Sequence, residues 1–232
     1  MKQNALGIVE SVLTGKAKLY TRPGTYSAID KQAVYSTVSV SANGLEGDEQ
    51  GDLRVHGGTD KAVHFYALEH YPKWIEELGM LPALIKAGAF GENIRTKGIT
   101  ESTICLGDQL HVGSVLMEVS QARQPCWKLN DRFGVPDMAR RLQSSLRTGW
   151  YCRVLQAGML KAGDTIDLVN RPYPEWTLAR LMEFFYKNPL HYPSLEQMLH
   201  LPLVKSWKRT IENRLQSGEV ENWNSRIDGP KQ

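Results

Sequence analysis

The feature that most limits the fold is a series of short strand-like segments separated by glycine-containing turns. GIVESVLTGKAKLY and QAVYSTVSVS carry alternating or β-branched residues, and AVHFY is a short apolar run. Further strands are expected at residues 93–96, 109–112 and 115–119, in WYCRVLQ and in GDTIDLV. Helices are expected in EHYPKWIEEL, after Cys126 and after Pro136. This pattern predicts a mainly β protein, a barrel or sandwich with inserted helices, and does not fit alternating βαβ units.

The pattern changes near residues 171–174, where two prolines flank a tyrosine. Beyond them, apolar residues recur at helical spacing in three stripes: Leu178, Leu181, Met182 and Phe185; Leu195, Met198 and Leu199; Val204, Trp207, Ile211 and Leu215. We therefore expect a main β domain over residues 1–171 and a three-helix appendage within residues 172–232. The end of the chain, with Gly229 and Pro230, is predicted to be loose.

Several classes of protein are excluded by what the 232 residues lack. There is no GxGxxG, GxxxxGK[ST], HExxH or GxSxG motif, so no nicotinamide, flavin or ATP site is recognisable. No run of about 18–20 apolar residues could span a membrane, and the N-terminus does not resemble a signal peptide. Three cysteines without a CxxC pair argue against a disulfide framework. We expect a cytoplasmic protein, and any redox electrons would come from another protein.

Cys126 is the residue with the most informative surroundings. In RQPCWKLN, residues 123–130, it lies between Arg123 and Lys128 and follows Pro125. Nearby cations and a following helix N-terminus both favour the thiolate, which is a nucleophile and a ligand for soft metals. The alternative is a buried, inert cysteine. That interpretation is adopted for Cys105 and Cys152, which lie among apolar strand residues.

Positive charge is concentrated around this cysteine although the whole chain carries only +3. Residues 121–153 contain seven cations (Arg123, Lys128, Arg132, Arg140, Arg141, Arg147 and Arg153) against two anions. The excess indicates either a solvated basic helix face or an anion-binding site beside Cys126.

Two further stretches could bind a ligand or could be plain turns. In DLRVHGGTDKAVHFY, the pair Gly57 and Gly58 would let the backbone approach an anion, with Arg54, His56 and Lys61 nearby. In AFGENI, Asn93 offers both a donor and an acceptor. Taken alone, each stretch is better explained as a turn. His64 alternates with apolar residues and is interpreted as a core histidine.

Taken together, four stretches resemble a known family. GLEGDEQ, RVHGGTDKAV, FGEN and RQPCWKLN, in this order and spacing, resemble the MOSC family, whose domains are related to the C-terminal part of molybdenum cofactor sulfurase. The helices after residue 172, with KSWKRT and Asn213-Arg214-Leu215, are similar to the three-helix tail of YiiM-type members. The resemblance covers nearly the whole chain. It implies a β-barrel-like MOSC core with inserted helices and a small C-terminal three-helix appendage.

The resemblance also implies a cofactor and the residues that hold it. The cofactor would be a molybdenum cofactor of the molybdopterin type, and Cys126 would be the catalytic residue and the metal ligand. The cofactor-binding residues would be Arg54, His56, Lys61, Arg123 and Lys128 at its phosphate, Gly57 and Gly58 where the backbone approaches closely, and Glu92 and Asn93 at the pterin edge.

Relatives of this type are associated with reducing N-hydroxylated compounds, including base analogues, which detoxifies them. The resemblance therefore implies an oxidoreductase with a small N-hydroxylated substrate and an external flavin or iron–sulfur protein as electron donor. The alternative is a non-catalytic protein that carries or inserts the cofactor or its sulfur.

The last predicted helix carries the basic residues Lys205, Lys208, Arg209 and Arg214 against Glu212. These charges could serve a helix-turn-helix, dock an acidic electron-transfer protein or form a solvated face. The solvated face is expected, and neither nucleic acid nor membrane is expected as a partner.

Overall fold

The computed structural model describes residues 5–52 and 57–229, which form thirteen strands and seven α-helices. The strands are β1 (Ala5–Thr14), β2 (Lys18–Leu19), β3 (Tyr26–Ser27), β4 (Gln32–Val34), β5 (Val38–Ser41), β6 (Gly44–Leu45), β7 (Val63–Ala67), β8 (Ile94–Lys97), β9 (Gln109–Val112), β10 (Val115–Ala122), β11 (Trp150–Gln156), β12 (Gly158–Leu160) and β13 (Thr165–Asn170). The helices are α1 (His70–Leu78), α2 (Lys128–Phe133), α3 (Met138–Ser145), α4 (Leu178–Met182), α5 (Tyr192–Met198), α6 (Lys205–Ser217) and α7 (Asn224–Ile227).

Seven strands close into a barrel. Their order is β13, β9, β10, β11, β7, β8 and β1, and β1 pairs with β13 as well as with β8. β4 extends the sheet beside β1, β5 pairs with β6 and β12, and β2 pairs with β3 in a hairpin. Closure leaves few unpaired strand edges. The predicted mainly β, barrel-like fold with inserted helices is confirmed.

One pairing in the barrel is parallel. β7 and β8 run side by side, with Phe65 opposite Ile94. Two parallel strands cannot be joined by a tight hairpin, so the chain needs a longer crossover connection. The connection, residues 68–93, carries α1 and the turn of the FGEN stretch.

The core has two parts. The first fills the barrel, where the rings of Phe65 and Trp150 stack with their centroids 5.7 Å apart. The second lies under the crossover and α2, where Phe90 stacks on Tyr66 at 4.0 Å. Both include large, fully buried aromatic side chains, which contribute strongly to the hydrophobic free energy of folding.

The C-terminal helices are built from the three predicted stripes. α4 is followed by a π-helical turn, Glu183–Lys187, and α5 and α6 follow it in the chain. Their buried faces meet through Phe185 and Trp207, whose ring centroids are 4.0 Å apart. These side chains belong to the same buried cluster as the barrel interior. The predicted domain boundary at residue 171 stays a prediction. No helix among the described residues is long and apolar enough to cross a membrane.

The segment after α6 is packed against the rest of the protein, so the prediction of a loose end is wrong for residues up to 229. It forms the short helix α7, and Ile227 is fully buried. Its polar groups also have partners in distant elements: the Asn130 side chain donates to the Ile227 carbonyl at 2.9 Å. Residues 230–232 lie outside the described residues.

Candidate active site

Five of the predicted site residues line one open cleft. The cleft has about 590 Å³ of empty space, part of it open to solvent, which is within the size range of small-molecule sites. The predicted residues on its wall are Lys61, Asn93, Arg123, Cys126 and Lys128. The structure therefore brings together residues that lie far apart in the sequence.

Cys126 lies in the connection between the end of β10 and the start of α2. Its side chain contributes to the cleft wall, although the residue is only 8% exposed. Lys31, Lys61, Arg123 and Lys128 contribute cations to the same wall. Cys126 is therefore not enclosed in hydrocarbon. In contrast, Cys105 and Cys152 are fully buried and away from the cleft, which confirms their prediction as core residues.

Arg123 is a buried cation that faces this cleft. It is 6% exposed, and its backbone N–H donates to the Gly149 carbonyl at 3.0 Å. Within the described part of the chain, its Nη1 atom has no hydrogen-bond partner. A buried guanidinium nitrogen without an acceptor is costly, and an anion in the cleft would supply one.

The three lysines of the cleft wall also interact with other groups of the chain. Lys128 donates from Nζ to the Tyr26 carbonyl at 2.6 Å, and Lys31 forms an ion pair with Asp48. Burial lowers the pKa of Lys31, and the negative charge of Asp48 opposes that shift. Burial likewise lowers the pKa of Lys61, while the charges of Asp60 and of a Cys126 thiolate oppose it.

Asn93 stabilises the cleft wall through its own hydrogen bonds. Its Oδ1 accepts from the His64 backbone N–H at 3.1 Å. Its Nδ2 donates to the Leu13 carbonyl at 3.2 Å and to an Asp48 carboxylate oxygen at 2.8 Å. Both of its donors are therefore already engaged, which leaves little capacity to bind a pterin edge.

Glu92 is not brought to the cleft. It is fully buried and accepts three hydrogen bonds: from the Tyr71 hydroxyl at 2.5 Å, from the Gly88 N–H at 2.8 Å and from the Phe90 N–H at 3.0 Å. These bonds hold the turn of the FGEN stretch from its inner side. For Glu92, the structure therefore agrees with the alternative interpretation of the FGEN stretch, a structural turn.

The HGG stretch is described only in part. Arg54 and His56 lie outside the described residues. Gly57 and Gly58 do not line the cleft. Gly58 has φ 100°, a conformation that favours glycine, and it borders a neighbouring depression that shares Asp48, Glu49 and Gln50 with the cleft wall.

Most cations of the basic stretch form ion pairs outside the cleft. Of its seven cations, only Arg123 and Lys128 line the cleft. The other five form ion pairs: Arg132 with Asp30, Arg140 with Asp228, Arg141 with Asp137, Arg147 with Glu77, and Arg153 with Asp60 and Glu118. The cationic wall is instead completed by Lys31 and Lys61.

Lys31, His64 and Tyr151 were missed by sequence reasoning. His64 is buried, as predicted, but it also borders the cleft, and its Nε2 has no hydrogen-bond partner among the described residues. Burial, with a smaller effect of the Arg123 charge, holds the pKa of His64 well below its usual value, so the ring is neutral. Its ring lies 4.9 Å from that of Tyr151. The available signal was the period of two in AVHFY, which directs His64 to the opposite face of the strand from Val63 and Phe65.

The comparisons with known proteins agree with the predicted family and fold. The MOSC domain matches residues 52–167, and a YiiM-like 3-alpha helix domain matches residues 176–218. Protein YiiM of Escherichia coli is 37% identical over 219 residues, which are 94% of this chain and 97% of that protein.

A solved structure and one further relative extend this picture. The crystal structure of YiiM from Escherichia coli superposes with a TM-score of 0.80 at 32% identity and covers 95% of this chain and 98% of that one. A protein of Gibberella moniliformis named "Reductase" is 38% identical over 91% of this chain, but the match spans only 38% of its own length. This chain therefore belongs to the MOSC family, in the group that carries the YiiM-like three-helix domain.

Proposed function

We propose that the chain is a molybdenum cofactor-dependent reductase of N-hydroxylated compounds. The observation that carries the proposal is that Cys126 lines the same cleft as Arg123, a buried cation whose Nη1 has no hydrogen-bond partner among the described residues. MOSC domains are associated with binding of the molybdenum cofactor. The relative named "Reductase" supports an oxidoreductase, although much of that longer protein lies outside the matched region.

The donor set fits this cofactor. Cys126 offers one soft sulfur ligand, and a metal held by it has to bring its remaining ligands. Among the described residues, no group of three or more His, Cys, Asp and Glu could hold a metal by itself. A pterin dithiolene supplies such ligands, and its phosphate needs cationic donors. The candidates for that contact are the four cations of the cleft wall, Lys31, Lys61, Arg123 and Lys128.

Reduction of an N–OH group to N–H and water consumes two electrons and two protons. When bound, the cofactor would supply a redox centre that can exchange two electrons. The chain would hold the metal through the Cys126 sulfur and the phosphate through cations of the cleft wall, Arg123 among them. His64 also borders the cleft, with a ring that burial keeps neutral. The electrons come from an external flavin or iron–sulfur protein.

The decisive experiment compares the unchanged protein with Cys126→Ser after production in a host that makes the cofactor. We expect on the order of one molybdenum per chain in the unchanged protein and less than about a tenth of that in Cys126→Ser, because a hydroxyl is a poor ligand for a soft site. Turnover of an N-hydroxylated base analogue with a reduced dye should fall at least about 100-fold.

Cys105→Ser is the matched control. Its sulfur is near the Pro174 carbonyl, at 3.6 Å, so a serine hydroxyl has an acceptor there. This variant should keep both molybdenum and turnover. Full molybdenum in Cys126→Ser would contradict the proposed ligand. A loaded protein that does not reduce the substrate would instead favour the non-catalytic carrier.

A further inference from the structure

The segment after the third helix of the C-terminal domain returns to the loop that carries Cys126. The YiiM-like three-helix domain matches residues 176–218, and residues 219–229 continue beyond it. We call residues 219–229 the C-terminal segment. Its helix α7 places Arg226 against the chain on both sides of Cys126.

Arg226 binds the backbone before and after the cysteine. Its guanidinium Nη1 donates to the carbonyl of Pro125. Its own carbonyl accepts from the N–H of Trp127 at 2.8 Å. Pro125 has no N–H to donate, so its carbonyl is its only backbone group available for a hydrogen bond. One residue about a hundred positions away therefore fixes both peptide units that flank Cys126.

The guanidinium of Arg226 is itself held in place. Its Nη2 donates to Oε1 of Gln143 at 2.6 Å, and Gln143 is a buried residue of α3. This bond orients the planar group so that Nη1 is directed at the Pro125 carbonyl. A lysine has a single donor head and could not make both contacts with the same geometry.

A second arginine joins the C-terminal segment to the hairpin of β2 and β3. Arg22 donates from Nη1 to the Asp228 carbonyl at 2.9 Å and lies over the ring of Trp127 at 4.1 Å. Trp127 therefore lies under a cation from one side of the cleft while its N–H is held by the C-terminal segment. The loop of Cys126 is fixed between these two elements.

We propose that Arg226 is a positioning residue for Cys126, which it acts on through the backbone of Pro125 and Trp127. It holds the sulfur at the cleft wall, where the residue is 8% exposed. The inference that this placement serves metal ligation rests on the proposed function. The placement itself is independent of that function.

The test measures the alkylation of each cysteine by iodoacetamide in the full-length, cofactor-free chain at pH 8, with peptide mass spectrometry as the readout. In Arg226→Ala we expect Cys126 to be alkylated about fivefold faster than in the unchanged protein, because the loop opens locally. Cys105 and Cys152, both fully buried in the core, report on general loosening and should keep their rates. Arg226→Lys, which keeps a donor for the Pro125 carbonyl, should restore most of the difference.

Arg209→Ala is the matched control, since Arg209 is exposed on α6. The proposal is overturned if Arg226→Ala speeds the alkylation of Cys126 less than twofold, or if Cys105 and Cys152 accelerate in parallel. If Arg226→Ala does not fold, the same twofold criterion is applied to Arg226→Met, which keeps a long side chain but has no hydrogen-bond donor. Molybdenum takes no part in this measurement, so its outcome is independent of whether the chain binds the cofactor.

Discussion

Glu92 and Arg123 are both charged and almost fully buried, yet their surroundings differ. The Glu92 carboxylate accepts three hydrogen bonds from its own turn. The Arg123 guanidinium faces a cleft, with one nitrogen unpartnered in the described part of the chain. A buried charge with saturated hydrogen bonds stabilises the fold, whereas one with an unused donor is stabilised by a ligand. The two residues therefore represent a structural and a binding use of buried charge.

The largest expected effect tests the structural case. In Glu92→Ala, two backbone N–H groups and the Tyr71 hydroxyl lose their acceptor, so the free energy of unfolding should fall by about 3–5 kcal/mol. Urea denaturation at pH 7 measures this change. Glu76→Ala, on the exposed side of α1, is the control and should change the free energy by less than about 0.5 kcal/mol. A loss below about 1 kcal/mol for Glu92→Ala would show that the carboxylate does not hold the turn.

For Arg123, a role in binding predicts a large loss of ligand affinity and a small loss of stability. Arg123→Met should weaken the binding of inorganic pyrophosphate to the cofactor-free chain about tenfold, equivalent to roughly 1.4 kcal/mol. The same change should cost less than about 1 kcal/mol of unfolding free energy, since an incompletely paired buried charge is removed. Tryptophan fluorescence titration and urea denaturation measure the two quantities, with Arg209→Met as the exposed control. If the unfolding free energy falls sharply while the affinity for pyrophosphate is unchanged, Arg123 has a structural role like that of Glu92.

His64 is another buried titratable residue at the cleft, and its contribution to stability depends on pH. Burial and the Arg123 charge hold its pKa well below the usual value, so the folded protein keeps the ring neutral. The unfolded chain takes up a proton below about pH 6.5, so stability is fully present above that pH and is lost as the pH falls. Between pH 6.5 and 5.5 this residue should account for a loss of about 1 kcal/mol.

The difference between the unchanged protein and His64→Gln across this range isolates the contribution of His64. His111→Gln, at an exposed histidine of β9, should leave the profile unchanged. Parallel profiles for the unchanged protein and His64→Gln would mean that the ring is already protonated or accessible to solvent in the folded state.

Exposed cations are the third case and should show the smallest effect. Lys205, Lys208 and Arg209 are exposed on α6, and their joint replacement by alanine should change the unfolding free energy by less than about 0.5 kcal/mol. Turnover with a reduced dye should be unaffected. A rise in the KM for a protein electron donor, but not for the dye, would assign them to donor docking instead of a solvated face.

The sequence was most informative where chemistry is local. Cys126 could be singled out because Arg123, Pro125 and Lys128 are its neighbours in the chain, and periodicity was sufficient to predict the strands and the C-terminal stripes. Lys31 could not be found in this way, because it comes from a different element and reaches the cleft only through the folded barrel.

Sequence reasoning also failed where the direction of a side chain decides its role. Glu92 and Asn93 are neighbours in FGEN, but one is directed into the turn and the other into the cleft wall, and composition cannot distinguish them. The basic stretch was overestimated for a related reason, since the acidic partners of four of its cations lie elsewhere in the chain. The C-terminal segment was misjudged because its partners, among them Asn130, Gln143 and the Pro125 carbonyl, are distant in the chain and leave no local sequence signature.

The parallel pairing of β7 with β8 has a consequence for how this scaffold can diversify. Phe90, Gly91 and Asn93 contribute to the cleft wall from the end of the excursion that joins those two strands. Insertions or deletions in residues 68–87 would thus change the part of the cleft wall that this connection supplies, while the register of every barrel strand is preserved. This part of the wall, unlike the parts that His64 of β7 and Tyr151 of β11 supply, could therefore vary without a change in the barrel.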